Sequence, residues 1–524
     1  MKIKLRKNQY SVRYLFILLV FCFGTRQLLG QSGNDHIYRI TDFGAIGDAK
    51  TINTAAIQKA IDAANANGGG KVVIPEGKFL AGTLQMKTGV ELHLDNKAVL
   101  LGSTNPIDYY KIDMPGHPIS PKQDDNSSLA LIAAFKAEHI SITGTGTIDG
   151  QGTALALNID SLIHIGQISD PHYSNRPNEK VRPKLLLFSL CQYINIEDAS
   201  LKNSACWGLS FEICKNLTLN NLKVTNMAYW NNDGTDLTDC KNVRITNCDF
   251  NTADDGICLK SYYPGYFDDS FYIANCRIRS GASAIKFGTA SYGGFKNIVI
   301  DNINIYDTYR SAIAIESVDG GVIENVHVTH INAKNTGNAI FIRLGHRAGK
   351  EVGSIKNVFI GNVKVEIPFG RPDVNYDLRA PEPGFHNPFP ASITGIPGHD
   401  VQNIQLENIE ITYPGRASKA QAYFSLSRLN DFPEKIRNYP EFTMFGELPA
   451  WGFYIRHASN IAFKNITLKL EGSDFRPAFV IDSVRHVTLS HIQLPTGYQD
   501  GQIILKDSPD YIIEASGQLH GTVL

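Results

Sequence analysis

Two short runs concentrate carboxylates: Asn231-Asn232-Asp233-Gly234-Thr235-Asp236 and Ala253-Asp254-Asp255-Gly256. Carboxyl groups that share a cleft can divide acid and base work. One protonates a leaving oxygen while another activates water or attacks, as hydrolysis of a glycosidic bond requires. The same residues would also suit a calcium site or a turn ladder of Asp and Asn. In the strand that follows, Ile257 and Leu259 read as inward positions, which puts Cys258 and Lys260 on the outer face. There Lys260 can hold one carboxylate ionised while crowding raises the pKa of another.

What would bring the two runs together is a repeat. A phrase of the form polar-Asn-apolar-x-apolar-x-Asn recurs, as KNLTLNN ending at Asn221, KNVRITN at Asn247, FYIAN at Asn275, KNIVIDN at Asn302 and GVIEN at Asn325, and again at Asn362, Asn408 and Asn465. The first five ends are 26, 28, 27 and 23 residues apart. Period-2 alternation at this repeat length predicts a solenoid of stacked β-coils, each burying its apolar face against its neighbours. Coils about 4.8 Å apart make residues one coil apart in sequence neighbours in space. Asp233 and Asp254, 21 residues apart, then project from adjacent coils onto one face. The recurring Asn suits left-handed turns and hydrogen-bonded ladders.

The coil phrase runs from near Gly144 to near His491, so residues 31–524 read as one elongated domain. Lys plus Arg number 50 against 51 Asp plus Glu, which leaves no charge excess to hold a nucleic acid. Lys2, Lys4, Arg6 and Lys7 followed by the apolar run from Tyr14 to Phe23 read as a secretory signal over residues 1–30. The expectation is export to the periplasm or medium, with no membrane span in the mature chain. Cys22 leaves with the signal. The other seven cysteines are expected to be small buried hydrophobes, with disulfide pairing as the alternative. There is no zinc spacing, and neither a metal nor a cofactor is expected.

Asn53 to Ala64 predicts an amphipathic helix stopped by Gly68-Gly69-Gly70, a cap for the open solenoid end. A capped solenoid needs no partner subunit, so a monomer is expected. Three polar insertions interrupt the coils: 151–185 with His164, His172, Tyr173 and Arg176; Ile367 to Asp400 with Arg371, Arg379, Phe385, His386 and Phe389; and Tyr413 to Trp451 with Arg416, Tyr423, Phe424, Arg428 and Tyr439. Aromatic faces and Arg forks on a rigid scaffold suit sugar binding. The alternative is that such loops cover a sheet face.

The order DFGAIGD, an Ala-rich helix, IPEGKFLAGTLQMKTGVELHLD, N-x-D-G-x-D and then D-D-G resembles glycoside hydrolase family 28, the polygalacturonase and rhamnogalacturonase family, over roughly residues 38–500. The resemblance implies an all-β, right-handed parallel β-helix and hydrolysis with inversion of pectic poly- or oligosaccharides. It implies Asp254 as general acid, Asp233 and Asp255 holding and deprotonating the attacking water, and Asn231 orienting the cluster. Two family motifs are missing. Ser283 stands where the family's Gly-His-Gly carries histidine, in Ala282-Ser283-Ala284, and Ala314-Ile315-Glu316 replaces the Arg-x-Lys that grips a sugar carboxylate. Either Lys260, Lys286, Arg343, His346, Arg347 or loop arginines compensate, or the sugar is neutral. Glu316 is alternatively an ion-pair partner of Lys286. The insertions suggest a groove walled at one end and exo action. A polysaccharide lyase, which needs calcium and a Lys or Arg base, a glycosidase on another polysaccharide and a non-catalytic surface solenoid are the competing classes.

Overall fold

A computed structural model describes residues 36–121, 127–370, 372, 388–418, 424–498 and 501–524. The basic and apolar run read as a signal lies outside the described residues, as do Arg371, Arg379, Phe385, His386 and Tyr423. The chain is all-β: strands from Ile37–Arg39 to Gly521–Val523 join one ladder in which every strand pairing is parallel, each strand hydrogen-bonding its counterpart one coil away. This is the parallel β-helix the repeat predicts. Among the described residues no helix is long and apolar enough to cross a membrane.

Alternation decides the core. In the strands Thr235–Thr238, Ile257–Ser261 and Ile285–Ser291, Leu237 pairs with Leu259 and Leu259 with Phe287, all fully buried inside the coil stack. Asp236, Cys258 and Lys286 form one outward column, and Thr238 and Lys260 belong to a second. Ile257 and Leu259 are therefore inward and Cys258 and Lys260 outward, as the alternation requires.

The phrase-ending asparagines do what their type predicts. Asn221, Asn247, Asn275, Asn302, Asn325, Asn362, Asn408 and Asn465 all adopt φ between 51° and 59°, a left-handed geometry Asn tolerates better than most residues. Their side-chain amides ladder from coil to coil, Asn302 to Asn275 at 2.8 Å and Asn465 to Asn408 at 2.7 Å. One assignment needs correcting. Asn325 donates to Asn297 and belongs to the column at the start of the phrase, while the position beneath Asn302 is taken by His330, itself at φ 54°. The apparent 23-residue coil was a slip between two columns.

The helix Thr54–Ala66 buries Ile57, Ala60, Ile61 and Ala64 against the first coils and caps that end of the stack. The seven described cysteines are all buried and free. Cys191, Cys214 and Cys240 stack in register, their thiols donating to backbone carbonyls. The 151–185 insertion holds a helix, Gly152–His164, that the sequence reading had as polar loop. Its buried residues Leu155, Ala156 and Ile159 sit at helical spacing.

The third insertion does two things. Phe424, Phe432, Phe442, Phe445 and Leu448 pack over the outward residues Ala314, Phe341, Tyr454, Val480 and Ile504 as a second apolar core. The loop thus roofs the later coils, the alternative weighed for it. It also brings Tyr439 back over Lys286.

Candidate active site

Local sequence sets the two acid turns. Asn232 accepts the Tyr229 N–H at 2.6 Å and donates to the carbonyls of Ser204 and Cys206, which fixes the turn before Asp233. Asn231 sits at φ 58° and its amide oxygen accepts from Arg182 at 2.7 Å. The glycine after each acid is compulsory: a Cβ on Gly234 would lie 2.4 Å from the Gly256 carbonyl, and one on Gly256 2.5 Å from Ile278. D-G and D-D-G are therefore points where neighbouring coils approach too closely for a side chain, and this puts the acids of those coils side by side.

Asn231, Asp233, Asp254, Asp255, Lys260 and Lys286 line one cavity of about 210 Å³, together with Glu179, Trp207, Tyr262, Thr289, Ala290 and Tyr439. A larger, shallower trough of about 590 Å³ between His139 and Arg244 has no carboxylate in its lining. Lys260 reaches Asp236 at 3.3 Å and Asp233 at 3.6 Å, and lies 4.6 Å over the Trp207 ring. Lys286 reaches Asp255 at 3.1 Å and the Tyr439 hydroxyl at 3.2 Å. Asp255 also accepts the Ser283 N–H at 3.0 Å, and its own N–H donates to Asp254 at 3.0 Å.

These contacts put the carboxyls in different charge states. Burial, then the charges of Asp236 and Asp254, push Asp233 well above the ordinary range, and Lys260 offsets this only in part. Burial also acts on Asp255, but Lys286, Lys260 and Arg310 outweigh it and hold that carboxyl below its usual value. Oxygens of Asp233 and Asp255 lie within 4.8 Å of each other, a gap in which one water can hydrogen-bond to both. Asp233, Asp255 and Cys258 could in principle ligate a cation. Lys260 and Lys286 already supply positive charge at Asp233, Asp236 and Asp255, and burial pushes the Cys258 thiol up, away from the thiolate a metal binds.

Five residues singled out from sequence do not line the cavity. Ser283 is buried behind Asp255 and holds it through its backbone N–H. Glu316 is buried 2% exposed with one carboxyl oxygen unpartnered, and Lys286 makes its ion pair with Asp255 instead. Arg343 donates to the carbonyls of Gly395, Glu434 and Lys435, tying down the roof loop. Arg347 is locked on Asp319 at 2.6 and 3.0 Å. His346 donates its backbone N–H to Ile436. Sequence reasoning passed over Trp207, Tyr262, Glu179 and Arg182. The signal for Trp207 was a lone aromatic one coil before Asp233; nothing in the sequence marks the others.

A family model described as glycosyl hydrolases family 28 matches residues 67–372, more than half of the chain. A probable polygalacturonase of Vitis vinifera is 26% identical over 331 residues, 62% of this chain and 60% of the relative. An exo-poly-α-D-galacturonosidase of Dickeya chrysanthemi is 28% identical over 331 residues, 54% of this chain and 53% of the relative. The chain thus spans less than two thirds of the length of either. Among solved structures, the family 28 exopolygalacturonase of Yersinia enterocolitica superposes with a TM-score of 0.64 at 20% identity, over 88% of this chain and 79% of that one, a likeness of fold.

Proposed function

The chain belongs to glycosyl hydrolases family 28, and from that premise we propose that it hydrolyses glycosidic bonds in pectic poly- or oligosaccharides, galacturonan or rhamnogalacturonan fragments, from their chain ends and with inversion. The observation that carries this reading is one cavity that Asp233, Asp254 and Asp255 line together, in which burial pushes the Asp233 carboxyl up while Lys286, 3.1 Å away, holds Asp255 below its usual value against the same burial. Two carboxyls with pKa values pushed apart are what acid and base work require.

Asp233, whose raised pKa favours its protonated form, holds the attacking water by a hydrogen bond. Asp255, ionised on Lys286, accepts its proton as the oxygen attacks the anomeric carbon. Asp254, the least buried of the three, is the general acid: it takes up a proton from solvent and passes it to the departing glycosidic oxygen. Asp236 and Lys260 keep charge at the back of the cavity balanced. Lys260 and Lys286 are poor candidates for the base of a lyase. Burial alone would lower them, but Cys258, Asp236 and Asp233 around Lys260, and Asp255 around Lys286, raise both ammonium groups well above their ordinary value.

Exo action rests on closure. Trp207, Tyr262 and Tyr439 line the cavity, and the loop that carries Tyr439 also supplies the aromatic roof over the later coils. A chain end fits such a space more readily than a polymer passing through. The Dickeya relative, an exo-poly-α-D-galacturonosidase, supports the same reading. The basic and apolar run at the N-terminus supports export, which N-terminal sequencing of protein recovered from the medium or periplasm would test.

The test is product analysis on polygalacturonan, rhamnogalacturonan and their oligosaccharides, with Asp254→Asn as control. Single saturated sugars released by the parent and lost in the variant are expected. Products that absorb in the ultraviolet as unsaturated sugars would instead indicate a lyase, and random internal cuts would exclude exo action.

A further inference from the structure

The cavity has lost the pair of cations that the family places one coil beyond it, and the cations near it are already engaged by the protein. Lys260 sits on Asp233 and Asp236, Lys286 on Asp255, Arg310 on Glu441 at 2.6 Å, Arg347 on Asp319, and Arg343 on backbone carbonyls. Arg176 differs. Its guanidinium lies 4.2 Å over the ring of Trp230, the residue next to Asn231, and its one hydrogen bond goes to the neighbouring Asn175 side chain at 3.3 Å. No carboxylate of the described residues lies within ion-pair distance of it; the acids whose charges reach it are Glu179 and, more weakly, Asp254, both of which line the cavity, so that it stands beside the cavity.

The loop that carries Arg176 is built to hold it there. Asp170 accepts the backbone N–H groups of His172 and Asn178, closing the loop on itself. Arg182, almost fully buried, ties the loop's Pro177 carbonyl to the Trp230 carbonyl and to Asn231, at 3.0, 2.7 and 2.7 Å. An Arg stacked on an indole is oriented before it binds anything, and its planar fork matches a carboxylate with two parallel hydrogen bonds.

We propose that Arg176 is the specificity-determining residue that grips the carboxylate of an anionic sugar, a uronate, at the mouth of the cavity, replacing the cations absent at Ala314 and Glu316. The assignment deepens the hydrolase reading and rests on it for the chemistry, but recognition of the acid stands on Arg176 itself.

The experiment compares the parent protein, Arg176→Ala and Arg176→Lys on an oligogalacturonate and on the same oligomer methyl-esterified, with thermal melting to confirm that each variant folds. Charge-assisted hydrogen bonds of this kind predict that Arg176→Ala raises KM for the free acid about 10- to 100-fold. kcat should move far less, KM for the ester should be little changed, and Arg176→Lys should fall between. Equal effects on acid and ester, or none on either, would overturn the inference. Calorimetric titration of oligogalacturonate into Asp254→Asn, and into Asp254→Asn combined with Arg176→Ala, separates the two claims. If the parent cleaves nothing while binding is lost with Arg176, the hydrolase reading fails and this one stands. If binding survives without Arg176, this one fails whatever the activity.

Discussion

The same sheet face is built in two ways along its length. Over the coils of Thr235–Thr238, Ile257–Ser261 and Ile285–Ser291, its outward positions include Asp236, Cys258, Lys260 and Lys286, and the two lysines line a cavity. From Ala314 onward, one of the same columns continues as Phe341, Ser392, Tyr454, Val480 and Ile504, mostly apolar and covered by the aromatic loop. Inward residues hardly change across the boundary, with Ile257, Ile285, Ile313 and Ile340 in one column. The scaffold is thus indifferent to what its outer face does. Function is written in one residue of every two, and where that residue is apolar the chain spends a long insertion covering it.

The sharpest way to break the charged half is Lys286→Met. Without the ammonium, burial dominates at Asp255, its carboxyl rises, and the acid limb of the pH–rate profile moves upward with it. A loss of about 1000-fold in kcat near pH 5 is expected, within the range for removing an effective general base. An unmoved acid limb would take the base role away from Asp255. The roofed half breaks differently. Phe432, buried against Phe424, Phe445 and Tyr454, should cost about 3 kcal/mol of stability as Phe432→Ala, with a cavity left behind. Its products should shift from single sugars toward longer fragments as the wall loosens. Unchanged products would mean that the roof does not set the mode of attack.

Glu316 stands at the boundary, and burial raises its carboxyl to about 8 against an ordinary 4.5. Folded, it keeps a proton that the unfolded chain has released. Its contribution to stability is complete below about 4.5 and is lost as pH rises through about 8. Glu316→Gln should therefore leave stability at pH 5 nearly unchanged and raise it by about 5 kcal/mol at pH 9 relative to the parent, measured by denaturant melts. Parallel stability curves would show that Glu316 is ionised and paired.

Most of the coil architecture was legible because it repeats. One asparagine in a left-handed turn is weak, whereas Asn221, Asn247, Asn275 and Asn302, spaced 26 to 28 residues apart with alternating apolar residues between them, leave few folds available. The slip at Asn325 has the same origin: two asparagine columns run side by side, and a histidine, His330, that tolerates the same backbone breaks the pattern in one of them. The acid cluster was legible through its glycines, since D-G and D-D-G mark where coils touch. The positions of Arg343, Arg347 and Glu316 were not, because the alternation says that a side chain leaves the sheet and says nothing of which loop meets it. Arg343 is consumed by the carbonyls of residues 434–435, far away in sequence. Tyr439 reaches Lys286 across 153 residues, a contact that no local pattern encodes.

The account stands or falls on a water held between Asp233 and Asp255 as the attacking group, with Asp254 as the acid. Proton NMR of the first sugar released from an α-linked oligogalacturonate, recorded before mutarotation, reads this directly. The account predicts the β-anomer, inverted relative to the bond cleaved. The α-anomer would mean that a carboxylate attacks the sugar itself, and would contradict it.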